Sequence, residues 1–100
     1  MKGMKAAMIL FDSELREEIF MLMKLVEIAH YTLLPDLFGS GNQGKKEGSL
    51  AWPGNNEIML LVVSPEQYEK MKSEIGLYKQ SRETKQGLLL LSWTLDEVIV

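Results

Sequence analysis

One hundred residues, 46% hydrophobic and 25% charged, have the length and composition of one globular domain with one core. The formal net charge of -3 gives no basic footprint for nucleic acid, and the absence of cysteine excludes disulfides, thiolate metal sites and a thiol nucleophile. No apolar run approaches the ~18 residues that cross a bilayer.

The first element is the apolar run Ala6–Phe11, read as a buried strand. It follows Lys2 and Lys5 but is too short for a signal peptide and gives way at once to Asp12, Glu14 and Arg16. A cytoplasmic protein is therefore expected, in keeping with the lack of cysteine. Asp12 and Ser13 supply N-cap chemistry, and Glu14, Glu17 and Glu18 suit the positive end of a helix dipole. The helix is expected over about 14–28, with Leu15, Ile19, Leu22 and Val26 as its main buried stripe. Residues 19–23 (Ile-Phe-Met-Leu-Met) are apolar on more than that face, so the helix is either deeply buried or meets another subunit. His30–Leu34 reads as a second strand ended by Pro35, which has no N–H for a ladder.

From about 36 to 56 the composition changes, with Gly39, Gly41, Gly44, Gly48 and Gly54 in one stretch. A loop of that length inside a small domain is usually functional or disordered. Ile58–Val63 is the clearest strand. Ser64 as N-cap, Pro65 at the first helical position and Gln67 closing a capping box start the second helix. Tyr68, Met71, Ile75 and Tyr78 line one of its faces, and Gly76, near its end, would help to terminate it. Residues 81–86 form a polar connection, Leu88–Trp93 is the fourth strand, and the apolar ending Val98–Val100 is expected to dock.

Two intercalated strand-helix-strand units give an α+β fold of the ferredoxin-like type, β-α-β-β-α-β, with both helices on one face of an antiparallel sheet. The whole chain, 1–100, is read as one such domain. A sheet with its other face in water should alternate apolar and polar residues, yet residues 6–11, 58–63 and 88–91 are apolar throughout. Something must cover the second face. Sheets of sister subunits in a closed oligomer are the simplest covering, and a sheet folded over its own C-terminal segment is the alternative.

Gly39-x-Gly41-x-x-Gly44 matches a dinucleotide fingerprint in form only, because Lys45-Lys46-Glu47-Gly48 does not open a helix. The glycines would let backbone N–H groups approach an anion, or would simply make a flexible loop. Lys45 and Lys46 are either phosphate-gripping point charges or solvated surface lysines. Trp52, ahead of Pro53 and Gly54, would stack on a ligand ring or anchor the loop; the anchor is favoured. His30, the sole histidine, has no second His or Cys to make a metal site in one chain. No catalytic residues and no metal ligands are assigned, and an enzyme is not expected.

The order of elements, the glycine-rich stretch after strand two and the chain length resemble the PII-like (nitrogen regulatory protein P-II-like) signalling proteins. Gly39-Ser40-Gly41-Asn42-Gln43 is similar to the Gly-Phe-Gly-Arg-Gln that opens that family's T-loop. The resemblance implies a homotrimer with the three sheets facing a common centre. It also implies a small effector bound between subunits and a flexible loop that controls a transporter or enzyme. It makes Gln43 the counterpart of a glutamine that contacts magnesium and a 2-oxo acid, and Gly41 that of a glycine near nucleotide phosphates. The family's second phosphate stretch, Gly-Asp-Gly-Lys, is replaced by Thr84-Lys85-Gln86-Gly87-Leu88, which keeps Gly87, offers Lys85 nearby and loses the aspartate. A divergent member is implied, with effector residues Gly39, Gly41, Gln43, Lys45, Lys46, Lys85 and Gly87. No tightly held cofactor is expected, and an adenine nucleotide or a small anion is the candidate effector. A trimeric divalent-metal tolerance protein resembling the CutA group is the alternative.

Overall fold

Strand, helix and strand follow one another twice along the chain. The computed structural model describes residues 3–37, 56–81 and 87–99. Its elements are β1 (Lys5–Asp12), a 3-10 turn (Ser13–Leu15), α1 (Arg16–Val26), β2 (Thr32–Leu37), β3 (Asn56–Val63), α2 (Pro65–Gln80) and β4 (Leu88–Thr94). The strands form one sheet in the order β2-β3-β1-β4, every pair antiparallel. This is the ferredoxin-like arrangement expected from the sequence.

The pleat decides what is buried. Ala7, Ile9 and Phe11 of β1 lie opposite Leu61, Met59 and Glu57 of β3, so these side chains share the helix-covered face. There they meet Leu15, Ile19, Met23 and Val26 from the first helical segment and Met71 and Ile75 from α2. The expected stripe is thus corrected at one position: Met23, not Leu22, is fully buried, and Leu22 only packs at the edge of the core. The helical run also begins as a 3-10 turn, with Asp12 Oδ1 accepting the Glu14 N–H at 2.9 Å. It ends at Glu27, whose φ of 64° is left-handed. There the Ile28 N–H donates to the Met23 carbonyl at 2.8 Å and the Glu27 N–H to the Lys24 carbonyl at 3.1 Å, a Schellman closure.

Ser64 and Gln67 form the reciprocal capping box that the sequence announces, at 3.1 and 3.0 Å. Gln67 Nε2 also donates to the Glu27 carbonyl at 3.3 Å, tying the start of α2 to the end of α1. Gly76 does not end α2; the helix runs four residues further, to Gln80. A Cβ at Gly76 would meet nothing within 4 Å. Gly76→Ala is therefore expected to stabilise the fold by about 0.5–1 kcal/mol, because glycine loses more backbone entropy in a helix. A thermal melt showing a Tm several degrees higher would bear this out, and an unchanged or lower Tm would refute it.

Three further expectations are corrected. Strand β2 starts at Thr32, so His30 and Tyr31 precede it. Pro35 does not end β2: the strand lies at the sheet edge and shifts register between Leu34 and Leu37, which accommodates a residue that cannot donate. Of the apolar ending expected to dock, Val98 is half-buried, Ile99 is not docked and Val100 lies outside the described residues. The Leu95 N–H reaches the Met4 carbonyl at 3.2 Å, but Ile99 is 85% exposed.

The other face of the sheet is apolar, and none of the described helices covers it. Across it run Leu34, Ile58, Leu10 and Leu89 in one row, Thr32, Leu60, Met8 and Leu91 in the next, then Val62, Ala6 and Trp93. Leu34, Leu60, Val62, Leu91 and Trp93 are all exposed. The lack of alternation in the sequence is thus a two-faced apolar sheet, with both described helices on one side.

Candidate effector site

The strand directions bring the ends of several elements to one place. β1 finishes at Asp12, β3 starts at Asn56 opposite it, and β4 starts at Leu88 opposite Phe11. β2 finishes at Leu37, also opposite Asn56. Leu37, Asn56 and Leu88 therefore lie at the same end of the sheet, beside the first turn of the helical segment.

That end is held by polar contacts. The Asp12 N–H donates to the Gly87 carbonyl at 2.9 Å, which fixes the last residue before β4 against the tip of β1. Lys79 Nζ donates to the Leu88 carbonyl at 2.9 Å, so α2 grips the first residue of β4 from the other side. Glu57 falls in the helix-facing parity of β3, together with Met59, Leu61 and Val63. A carboxylate there needs a partner, and Arg16 provides it. Arg16 Nε lies 2.9 and 3.1 Å from the two Glu57 carboxylate oxygens, and Nη2 bonds to Oε2 as well. The Glu57 side chain is 1% exposed and that of Arg16 is 43% exposed, so a planar cation is held at the surface by a buried anion. Asn56, also buried, stands next to this pair.

Of the effector residues expected from the sequence, Gly87 is described: it is buried, and its carbonyl is engaged by Asp12. Gly39, Gly41, Gln43, Lys45, Lys46 and Lys85 lie outside the described residues, as do the loop-anchor residues Trp52, Pro53 and Gly54. The structure brings the flanks of both glycine-containing stretches to one end of the sheet. Sequence reading missed Arg16, Glu57 and Lys79. A signal for Glu57 was present, since extending the alternation Met59, Leu61, Val63 backwards places it on the helix face. Arg16 sits within the expected acidic first turn and carried no comparable mark. Among the described residues no group of three His, Asp or Glu side chains is placed to hold a metal ion, and His30 is exposed. No helix among them is long and apolar enough to cross a membrane.

This antiparallel ferredoxin-like fold is shared with known proteins. No protein-family model matches the chain, and no curated protein matches it. Solved structures do. The apo form of CPII, a nitrogen regulatory PII-like protein from Thiomonas intermedia K12, superposes with a TM-score of 0.69 at 12% identity, over 92% of this chain and 88% of that one. The same protein bound to ADP, AMP and bicarbonate gives 0.66 at 16% identity, over 94% and 89%. A structure described as a PII-like signalling protein, from Thermus thermophilus, gives 0.53 at 20% identity, over 90% and 82%. The chain has the fold of the PII-like proteins.

Proposed function

We propose that the protein is a divergent PII-like regulator that binds a small effector at the end of the sheet where Gly87 and Asn56 lie. The observation that carries this reading is that Leu37, Asn56 and Gly87, the flanks of the two glycine-containing stretches, meet at one end of the sheet. Asn56, which follows 38–55, pairs with both Leu37 and Asp12, and the Asp12 N–H donates to the carbonyl of Gly87, which follows 82–86, so the flanks of the two segments meet through the tip of β1. The similar CPII structure is described with ADP, AMP and bicarbonate, which makes an adenine nucleotide with a small anion the first effector to test. Glycines Gly39 and Gly41 would let backbone N–H groups approach phosphate oxygens, and Lys45, Lys46 and Lys85 would supply positive charge. Gln43 would orient the effector, and Trp52, Pro53 and Gly54 would anchor the returning segment. The apolar open face of the sheet supports a homotrimer whose sheets face one another, with the effector between neighbouring subunits. The state of residues 38–55 would then be signalled to a target transporter or enzyme. This reading makes the protein a cytoplasmic regulator rather than an enzyme, and all of residues 1–100 one domain.

The test is a thermal-shift and calorimetry panel of ADP, AMP, ATP, cyclic dinucleotides, 2-oxoglutarate, bicarbonate and divalent metals. A true effector at about 100 times its dissociation constant stabilises by roughly 2.7 kcal/mol, a readily visible rise in Tm. Stabilisation by a nucleotide that Gln43→Ala and Lys85→Ala weaken is the expected result. Silence from every nucleotide and anion would overturn the reading. A response to metal alone would replace it with the CutA-like alternative.

A further inference from the structure

Phe11 separates the two flanks of the candidate site. Its partners across the sheet are Glu57 on β3 and Leu88 on β4, which therefore stand on either side of it, about 10 Å apart at one strand spacing each. The ladder hydrogen bonds of β3 do not reach β4, but residues 12–16 reach both. At one end of this turn the Asp12 N–H donates to the Gly87 carbonyl at 2.9 Å. At the other end Arg16 holds both carboxylate oxygens of Glu57 through Nε and Nη2. The turn between them is stiff. Asp12 Oδ1 accepts the Glu14 N–H, Ser13–Leu15 form the 3-10 turn, and Leu15 is packed in the core. The choice of an ion pair points to a task beyond packing. The helix-facing positions that follow on β3 are Met59, Leu61 and Val63, and an apolar side chain at 57 would simply continue their row. A buried ion pair is often no more stable than well-packed apolar groups in its place. What it supplies is direction: two guanidinium nitrogens on one carboxylate fix both the distance and the angle between α1 and the start of β3.

We infer that residues 12–16 are a clasp that couples the flank at Asn56 and Glu57 to the flank at Gly87, with Arg16 as its positioning residue. Release of Glu57 frees the Arg16 end of the turn, and the Asp12–Gly87 bond at its other end then opens more often. The coupling runs equally in the other direction, as any coupling between two sites must. This inference rests on the reading that both flanks serve one effector, and it adds which residues make them one site. A ligand that pulls on either flank is felt at the other through the turn, without any contact between that ligand and Arg16.

Native-state hydrogen exchange of the ligand-free full chain, read by NMR at single amides, tests the clasp. The wild type is compared with Arg16→Met/Glu57→Leu, which removes both charges together. The Asp12 N–H reports its bond to Gly87, and the amides of residues 8–10, in the middle of β1, report the sheet as a whole. Relative to those mid-strand amides, exchange at Asp12 is expected to be roughly tenfold faster in the double variant, the mark of a local opening. Arg16→Lys, a milder second variant, keeps the charge but makes no fork, and should fall between the two. A role in overall stability alone would speed all of these amides by the same factor, and that result would overturn the clasp. So would an Asp12 amide that keeps its wild-type protection in both variants. No ligand enters the measurement, so its failure is separate from failure of the effector reading, which the ligand panel decides.

Discussion

Replacing Leu60 with lysine is expected to abolish assembly through the sheet while leaving the subunit folded. Leu60 sits on the face away from the described helices, in the row formed with Thr32, Met8 and Leu91, on the second strand of the sheet. It is 38% exposed, so a lysine there can reach water in an isolated subunit. In an assembly the same ammonium group would be buried among leucines without a partner, which is strongly unfavourable. The driving force it opposes is appreciable. Leu34, Leu60, Val62, Leu91 and Trp93 each retain roughly 40–50% exposure, and covering them is worth about 1 kcal/mol apiece. Five such side chains per subunit give the order of magnitude from which a trimer could be built. Leu91→Lys, across Met8 in the same row, should act in the same way. For the proposed homotrimer, mass photometry or light scattering would show a drop to one third of the wild-type mass. An unchanged mass in both variants would mean that the sheet is covered by something other than sister subunits.

Much of this architecture was legible because local signals and tertiary demands agree. Ser64, Pro65 and Gln67 announce α2 through hydrogen bonds that are complete within four residues, so no distant contact could overrule them. The unbroken apolar strands likewise implied a two-faced sheet, because side-chain alternation is a property of the strand itself. The misreadings occur where context decides. Pro35 ends a strand only where its missing N–H is needed, and at the edge of the sheet it is not. Gly76 ends a helix only if the chain needs a left-handed residue there, and α2 does not; α1 instead places that conformation at Glu27, which no propensity suggests. Leu22 and Met23 stand on adjoining sides of the α1 stripe, so which of them is buried is set by how the helix rests on the sheet and not by the spacing itself. For the candidate site, sequence pointed to the glycine-containing stretches but not to what holds their flanks. Gly87 enters the candidate set through the resemblance to a Gly-Asp-Gly-Lys phosphate stretch, whereas its visible role is as a backbone acceptor for Asp12. The Arg16–Glu57 pair spans 41 positions and could only be seen once β3 and α1 were placed together.

That pair leads to the second large effect, which should be strongly asymmetric. Arg16→Met is expected to destabilise the protein by about 3 kcal/mol, because it leaves a carboxylate that is 1% exposed without the cation that neutralises it. Glu57→Gln should cost much less. It leaves Arg16, whose side chain is 43% exposed, to be solvated by water, and the glutamine oxygen can still accept from the guanidinium. The double variant Arg16→Met/Glu57→Leu removes both charges and should recover most of the loss, since buried pairs replaced by well-packed apolar groups are often near neutral in stability. Urea unfolding of these proteins, with Glu57→Leu added as the second single variant, closes a double-mutant cycle that measures the coupling directly. Equal losses in Arg16→Met and Glu57→Gln, or a double variant no better than Arg16→Met, would show that the pair does not act as a buried anion neutralised by a surface cation. The same cycle bears on function. If the pair serves only the fold, the double variant should bind an effector as the wild type does. If Arg16 also presents its charge to a ligand at the end of the sheet, binding should fall in the double variant although its stability has returned.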